Sequence, residues 1–308
     1  MSAEILFRQK PLDGLTVTVG TVGYPVHHTI SPEFQGAAYE ATGTDMVYLP
    51  FNVKPEAIGD AVRGIRALGI RGTNVTMPHK QTAMAYLDEL DPLAEVVGSI
   101  NGIINTNGKL KGYNFDVGGF MIPFEGMDLN GVRVLMIGAG GGARAAAFGL
   151  TMRGADLVIL NRNAEKAESL AADLTAYSGN PAKGLPWTEE VLKEEMAKTE
   201  IVVNCSPLGF DKYEDETPVP KELIRKGMFI YDIVYSPLET RLMREAKEMG
   251  AGRIVGGLEM IVGQGAEFFE KATGKKAPYE LMLETGRAVL MKRAEEARKG
   301  EEKNEKQS

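Results

Sequence analysis

The fold is decided by the stretch Val132-Arg-Val-Leu-Met-Ile-Gly138-Ala-Gly140-Gly-Gly142-Ala143-Arg144. Its apolar first half predicts a buried parallel strand, and the alanine-rich residues after the glycines predict a helix. A glycine turn between a strand and a helix is the context that a dinucleotide fingerprint requires. We expect Gly138 to allow the tight turn, Gly140 to leave room for a pyrophosphate, and Ala143 to let the helix pack closely on the strand. The start of the helix favours an anion.

Strands and helices alternate on both sides of this stretch. Before it, strands are predicted at residues 15–22, 46–51 and 70–76, with a hairpin around Asn107-Gly108. After it, the strands predicted at 155–160, 201–204, 229–232 and 253–255 give βα repeats of Rossmann-like pattern. Residues 80–87 are predicted to be helical, and residues 260–297 to form one or two helices that fold back on the first domain. The class predicted is therefore α/β.

Composition narrows the function classes. With 308 residues, 44% of them hydrophobic and a net charge of -7, the chain has the profile of a globular protein that does not bind nucleic acid. No apolar run is long enough to span a bilayer, so no membrane partner is expected. The single cysteine, Cys205, cannot form an intramolecular disulfide, and the three histidines lack zinc-like spacing, so no metal is expected. Since the first ten residues lack a signal-peptide core, a cytoplasmic location is expected.

The end of the second predicted Rossmann strand indicates which dinucleotide binds. It reads Asn161-Arg162-Asn163, about 20 residues beyond Gly138, where an NAD site usually places an acidic residue. A carboxylate would repel a 2′-phosphate, whereas Arg162 can pair with it and Lys166 supplies a second cation. The sequence therefore favours NADP over NAD.

Two titratable groups are candidates for catalysis. Lys80 follows Asn74-Val-Thr76-Met-Pro78-His79, and Asp116 follows Gly112-Tyr-Asn-Phe. Hydride transfer to or from an alcohol carbon needs a group that moves the hydroxyl proton, and a lysine beside a carboxylate can do this. On spacing alone, a simple ion pair or two unrelated surface charges is the favoured interpretation.

Several motifs in order give the chain a family resemblance. The chain resembles the shikimate dehydrogenase family along nearly its whole length. The matching stretches are residues 25–32, the lysine motif at 74–80, the segment around Asn101, the stretch 112–116, the glycine turn with Asn161-Arg162, and residues 204–209, 232–240 and 257–264.

The resemblance implies a fold and a reaction. It implies a substrate-binding and catalytic domain at residues 1–117, completed by 258–308 with C-terminal helices that return to it, and a Rossmann domain at 118–257. The reaction implied is the reversible, NADP-dependent reduction of 3-dehydroshikimate to shikimate, with Lys80 and Asp116 as the catalytic pair. The partner is a small ring acid, and the chain is expected to be a monomer or a homodimer.

The resemblance also assigns binding residues. Thr29 and Ser31 match residues that bind the substrate carboxylate, Tyr235 matches a further carboxylate contact, and Thr76, Asn101 and Gln264 match contacts to the ring hydroxyls or the carboxylate. The residues that match cofactor contacts are Gly138, Gly140, Gly141, Gly142, Ala143, Asn161, Arg162, Lys166, Ser206, Gly257 and Met260. Directional hydrogen bonds from such hydroxyls and amides suit a small polyhydroxylated acid.

The chain departs from the family pattern around the proposed substrate pocket. Thr29 stands where serine is usual, Phe115 stands where threonine is usual, and the other departures are Ile30, Gln35-Gly36 and His79. These changes leave the exact ring acid open, so an enzyme acting on quinate or a related acid is the alternative. A non-catalytic sensor of a ring acid or nucleotide is a further alternative. Retention of Lys80 and Asp116 argues against it.

Overall fold

The computed structural model describes residues 10–305, with side chains up to residue 299. It divides into two compact units. One contains the residues up to Phe115 together with those from Val262 onward, and the other spans Asp116–Ile261. The functional boundaries expected from the sequence, at 117/118 and 257/258, stay a prediction.

The N-terminal part of the first unit is a mixed sheet flanked by helices. Its strand order is β2-β1-β3-β5-β6-β4. The β1–β2, β1–β3 and β4–β6 pairs are parallel, whereas β3–β5 and β5–β6 are antiparallel. The elements are β1 (Val17–Gly23), α1 (Ser31–Ala41), β2 (Met46–Asn52), α2 (Ile58–Ala67), β3 (Gly72–Val75), β4 (Glu89–Leu90), α3 (Pro92–Val97), β5 (Gly102–Thr106) and β6 (Lys109–Tyr113).

The predicted hairpin is confirmed, because β5 and β6 pair on either side of Asn107 and Gly108, which both have positive φ. The helix predicted over residues 80–87 is wrong as an α-helix, since only a 3-10 helix forms at Thr82–Tyr86. The carbonyl of Lys80 accepts from the Ile100 N–H at 2.8 Å, and the Met84 N–H donates to the carbonyl of Gln81 at 3.2 Å, which is the i→i+3 pattern of a 3-10 helix. The second strand of this hairpin ends at Tyr113, and Asp116 opens the next helix.

The second unit is a fully parallel sheet with the strand order β12-β11-β10-β7-β8-β9. Successive strands are added outward from β7 to one side as far as β9, and then from β10 to the other side as far as β12. This strand order is that of the dinucleotide-binding Rossmann fold. The elements are α4 (Asp116–Met121), β7 (Arg133–Ile137), α5 (Gly141–Met152), β8 (Asp156–Asn161), α6 (Ala164–Ser178), β9 (Lys183–Pro186), α7 (Glu189–Met196), β10 (Ile201–Asn204), β11 (Phe229–Asp232), α8 (Arg241–Glu248) and β12 (Arg253–Val255).

The core of this unit consists of the inward side chains of the central strands. Leu135, Ile137, Val158, Leu160 and Val202 are fully buried there. Continuous apolar runs of this kind are typical of parallel strands that are covered on both faces, and they made these strands predictable. The edge strand β9 was not predicted, because its sequence Lys183-Gly-Leu-Pro186 is short and contains two residues that weaken strands.

Two helices end the described chain: α9 (Leu258–Thr273) and α10 (Tyr279–Glu305). From Val262 onward they belong to the first unit. Gln35 of α1 donates to the carbonyl of Gly265 in α9 at 2.7 Å, and α10 packs beside α1. The predicted return of the C-terminal helices to the first domain is therefore confirmed.

Candidate active site

A buried cluster of three side-chain amides lies in the first unit. Oε1 of Gln264, on α9, accepts hydrogen bonds from Nδ2 of Asn74 and from Nδ2 of Asn101, each at 3.1 Å. Oδ1 of Asn101 accepts from the N–H of Phe115 at 2.6 Å. Because each of these amides has a defined orientation, the cluster is a rigid set of donors and acceptors.

Tyr48 extends this cluster toward the start of α1. Its hydroxyl donates to Oδ1 of Asn74 at 2.8 Å. Burial raises the pKa of Tyr48, and hydrogen bonds with Ser31 and Thr21 offset this only in part. The hydroxyl therefore stays protonated and links Ser31 to the amides. We did not predict Tyr48 or Asn74 as site residues, although Asn74 heads the lysine motif.

The backbone at Lys80 is held beside the amide cluster. Its carbonyl is bound by the N–H of Ile100, the residue before Asn101. The preceding residue, His79, is fully buried, and its Nε2 lies 2.7 Å from the carbonyl oxygen of Val53. This departure from the family pattern thus replaces an apolar packing residue with one that also anchors the lysine loop. Thr76 and Lys80 themselves are half-buried.

The two predicted carboxylate-binding hydroxyls lie where the loop that carries Thr29 meets the first residue of α1. Ser31 opens α1 and is buried, whereas Thr29 is half-buried. The hydroxyl of Thr29 accepts from the N–H of Ser31 at 3.2 Å. The two residues are therefore brought together by a local turn.

Phe115 does not form a substrate-pocket wall, as its departure from threonine had led us to expect. Its ring is buried, stacks on Tyr113 at 5.4 Å and meets Phe268 edge-on. A Cβ placed on Gly102 would lie 2.3 Å from this ring. Phe115 is therefore a core residue, and the glycine opposite provides the space for it.

The glycine turn has the geometry predicted for it. Gly138 has φ +112, and a Cβ there would lie 2.6 Å from the carbonyl oxygen of Cys205, so only glycine fits. A Cβ on Gly140 or Gly141 would meet nothing within 4 Å, so the turn opens onto free space. Gly140 precedes α5 without a side-chain capping bond, and Ala143 is buried. Uncapped helix N–H groups facing open space fit the pyrophosphate of a dinucleotide.

Cationic side chains lie at the end of β8. Arg162 directly follows the strand and is exposed, as is Lys166 in the first turn of α6. Asn163 caps α6 by accepting from the N–H of Lys166 at 3.2 Å, and Asn161 donates to the carbonyl of Asn163 at 2.9 Å. This arrangement of a rigid turn with two exposed cations fits a 2′-phosphate.

A buried polar network follows β10 and β11. Oδ1 of Asn204 accepts from both the N–H and the hydroxyl of Ser206, at 2.9 and 2.7 Å. Asp232 accepts from Asn204 at 2.9 Å and from the Thr240 hydroxyl at 2.7 Å. Burial raises the pKa of Asp232 to about 6, against the lowering effect of these hydrogen bonds. The network fixes Ser206 and the ends of the loop that carries Tyr235. We did not predict Asn204, Asp232 or Thr240 as members of a site.

Gly257 is fixed against the start of the same loop. A Cβ on Gly257 would lie 2.0 Å from the carbonyl oxygen of Ile233, and its N–H donates to Val234 at 3.0 Å. Met260, in the first turn of α9, is buried. Only glycine permits this approach, which brings the Gly257 segment next to the one that carries Tyr235.

Comparison with known proteins decides the family. A family model described as the shikimate dehydrogenase substrate binding domain matches residues 21–103, and one described as shikimate / quinate 5-dehydrogenase matches residues 123–207. The shikimate dehydrogenase (NADP(+)) of Dehalococcoides mccartyi is 40% identical over 273 residues, which cover 88% of this chain and 95% of that protein. The chain belongs to the shikimate dehydrogenase family. The family predicted from the ordered motifs is confirmed.

Solved structures of the family agree with the fold. A shikimate dehydrogenase crystallised in complex with NADP+ has a TM-score of 0.83 and 35% identity, and the match covers 92% of this chain and 97% of that one. The shikimate 5-dehydrogenase of Listeria monocytogenes, in complex with shikimate and NAD, also has a TM-score of 0.83, with 33% identity and coverage of 89% and 98%. The predicted α/β class is confirmed.

The predicted site residues are divided between the two units. The first contains Thr29, Ser31, Thr76, Lys80, Asn101 and Gln264. The second contains Asp116, Tyr235 and every predicted cofactor residue. Asp116 is buried at the start of α4, and Tyr235 is half-buried. Within residues 10–305, no helix is long and apolar enough to cross a membrane. Among the side chains described, no group of three His, Cys, Asp or Glu could hold a metal ion.

Proposed function

We propose that the protein catalyses the reversible, NADP-dependent reduction of 3-dehydroshikimate to shikimate. The observation that carries this proposal is the buried cluster of Asn74, Asn101 and Gln264 beside the backbone of Lys80. A preorganised set of amides next to a lysine suits a ligand with several hydroxyls, one of which exchanges a proton. Family membership supports the same reaction.

The substrate is held by side-chain hydroxyls and amides. Thr29 and Ser31 bind the carboxylate, with Tyr235 as a further contact, and Thr76, Asn101 and Gln264 bind the ring hydroxyls or the carboxylate. Since Oε1 of Gln264 already accepts two hydrogen bonds, its Nε2 is oriented as a donor. A ring acid lacking a paired hydroxyl would leave a buried polar group unsatisfied, which is the basis for selectivity.

The cofactor residues fit NADP. The open glycine turn from Gly138 to Ala143 and the start of α5 receive the pyrophosphate, while Arg162 and Lys166 pair with the 2′-phosphate, with Asn161 at the same strand end. Ser206, Gly257 and Met260 lie on segments of the second unit that complete the cofactor site. When bound, NADP supplies the hydride acceptor or donor for the carbinol carbon.

Lys80 and Asp116 form the catalytic pair. In the oxidation direction, the amine of Lys80 takes the proton from the substrate hydroxyl, and in reduction its ammonium returns a proton to the developing alkoxide. Asp116 supplies the carboxylate of the pair. The anchored backbone of Lys80 supports this role, because a fixed starting point limits the positions that its amine can reach.

Quinate, or a related ring acid, is a second candidate substrate. Thr29 stands where serine is usual, and its additional methyl group changes the space beside a proposed carboxylate contact. One of the matching family models also covers quinate dehydrogenases by description. A sensor without turnover would not need a positioned lysine, so an enzymatic function is favoured over a sensory one.

The decisive experiment measures formation of reduced cofactor with shikimate and with quinate, each with NADP and with NAD. We expect the highest kcat/KM for shikimate with NADP. A higher kcat/KM with quinate would transfer the proposal to that acid. No turnover with any of the four pairs would overturn the enzymatic function. A cytoplasmic location and a monomeric or homodimeric state stay predictions; sedimentation equilibrium would test the latter.

A further inference from the structure

The C-terminal helix α10 contacts the loop that carries Thr29 and Ser31. Nη1 of Arg293 donates to the carbonyl oxygen of His28 at 2.8 Å, and Nη2 donates to that of Thr29 at 2.9 Å. Nη2 also donates to Oε1 of Glu33 at 2.8 Å. One guanidinium therefore binds two successive peptide groups of the loop and the first turn of α1.

These contacts fix the backbone from which the Thr29 and Ser31 side chains extend. The peptide groups held by Arg293 lie on either side of the Thr29 side chain, and the Thr29 hydroxyl in turn accepts from the N–H of Ser31. Ser31 is tied on its other side to the buried hydroxyl of Tyr48. Ser31 is thus joined through Tyr48 to the amide cluster, whereas Thr29 is held by Ser31 and by the Arg293 contacts. Displacement of the loop backbone at Thr29 would therefore move the Thr29 hydroxyl away from that of Ser31.

The chemistry of arginine suits this role better than a simple charge would. The ion pair with Glu33 is partly exposed, with 39% and 30% of the two side chains accessible, and such a pair alone contributes little. The planar fork, however, donates in several directions at once, whereas a lysine head group cannot reproduce that geometry. Partial burial lowers the pKa of His28, and the neighbouring His27 and the positive charge of Arg293 lower it further.

We propose that Arg293 is a positioning residue for substrate binding, which sets the Thr29–Ser31 loop from the C-terminal helix. The inference rests on the proposed function, in which these two hydroxyls bind the substrate carboxylate. Arg293 does not itself touch the substrate. It acts through the two carbonyls that it holds, so its loss is expected to affect binding of the ring acid and to leave cofactor binding unchanged.

The test compares Arg293→Ala and Arg293→Lys with Lys292→Ala, a control at the neighbouring exposed position of the same helix. Hydrogen exchange of residues 26–34 is measured without substrate, and kcat and both KM values are measured with shikimate and NADP. For Arg293→Ala we expect faster exchange in that segment and a shikimate KM raised by roughly tenfold, with kcat and the NADP KM within about twofold of native. Arg293→Lys should be intermediate, and Lys292→Ala should match the native protein.

Three results would overturn the inference: unchanged exchange in residues 26–34, an unchanged shikimate KM despite faster exchange, or an equal loss in all kinetic constants together with a general loss of thermal stability. The proposed function fails separately. If the native protein turned over no ring acid, that function would be overturned, while the exchange comparison, which uses no substrate, would still decide whether Arg293 holds the loop.

Discussion

The side-chain amide of Asn101 donates to Oε1 of Gln264 at 3.1 Å, although the two residues are 163 positions apart in the chain. The same oxygen accepts from Asn74, also at 3.1 Å. An oxygen that accepts from two buried amides fixes which end of the Gln264 side chain faces the cluster. The Nε2 end is thereby committed as a donor, and this orientation can be tested directly.

Gln264→Glu preserves the shape of the side chain and both acceptor contacts, but it replaces the Nε2 donor with an anionic oxygen. We expect the shikimate KM to rise about tenfold or more, because a donor is lost and a charge now repels the substrate carboxylate. The NADP KM should change little. An unchanged shikimate KM, measured by steady-state kinetics, would remove Gln264 from the binding site.

Lys80→Ala removes the proposed proton-transfer group. We expect kcat to fall by roughly 100-fold or more while both KM values stay close to native, since general acid–base groups contribute about that much to the chemical step. Lys276→Ala, at an exposed position in the same unit, is the matched control and should retain native kcat. A kcat for Lys80→Ala within about twofold of the control would contradict the assigned role.

Arg162→Ala tests the preference for the phosphorylated dinucleotide. Loss of the cation should raise the KM for NADP by about tenfold or more, while the KM for NAD changes little, because only NADP carries the 2′-phosphate. Lys193→Ala, exposed on α7 of the same unit, serves as the control. Equal changes in the two KM values would show that Arg162 does not recognise the phosphate. Lys166→Ala should give a smaller effect of the same kind.

Asp232 makes stability depend on pH. Burial raises its pKa from 3.8 to about 6 in the folded chain, so the folded state binds the proton more tightly than the unfolded state. The stabilising contribution is thus complete below the unfolded pKa and is lost as the pH rises through about 6. Asp232→Asn cannot lose a proton. The free energy of unfolding of Asp232→Asn, minus that of the native protein, should therefore be higher at about pH 8 than at about pH 5. The expected increase is about 1 to 2 kcal/mol.

Denaturant unfolding at the two pH values measures this difference for Asp232→Asn. Asp128→Asn, at an exposed position of the same unit, is the control. The same stability difference between Asp232→Asn and the native protein at both pH values would mean that Asp232 does not titrate as its burial implies.

Tyr39 carries a buried hydroxyl with no hydrogen-bond partner among the side chains and backbone described. Its ring stacks on Phe269 at 5.5 Å, joining α1 to α9. Tyr39→Phe keeps the stacking and removes the unsatisfied group, so we expect the free energy of unfolding to rise by about 1 kcal/mol. Denaturant melts of this variant and of Tyr177→Phe, an exposed tyrosine, provide the comparison. A loss of stability in Tyr39→Phe alone would show that the hydroxyl is satisfied by water.

Some errors in the sequence-based prediction have a physical cause in long-range contacts. The helix predicted at residues 80–87 satisfies local propensity, but the Lys80 carbonyl is taken by Ile100 and only a 3-10 helix follows. Phe115 was expected near the substrate pocket because it stands where threonine is usual in the family, yet its ring packs in the core against Tyr113 and Phe268. In both cases a neighbour distant in sequence decided the outcome.

The sequence by itself determined the glycine turn and the family. The apolar strand run, the glycine turn and the alanine-rich helix start lie within about a dozen consecutive residues, so they can be read without the fold. The close approach of Gly138 to the carbonyl of Cys205 is visible only in the folded chain. The tertiary structure alone decided how Gln264 meets Asn74 and Asn101, and how Arg293 holds Thr29. These contacts join distant segments, and no local pattern specifies them because they depend on the path of the whole chain and on the packing of α9 and α10 with the first unit.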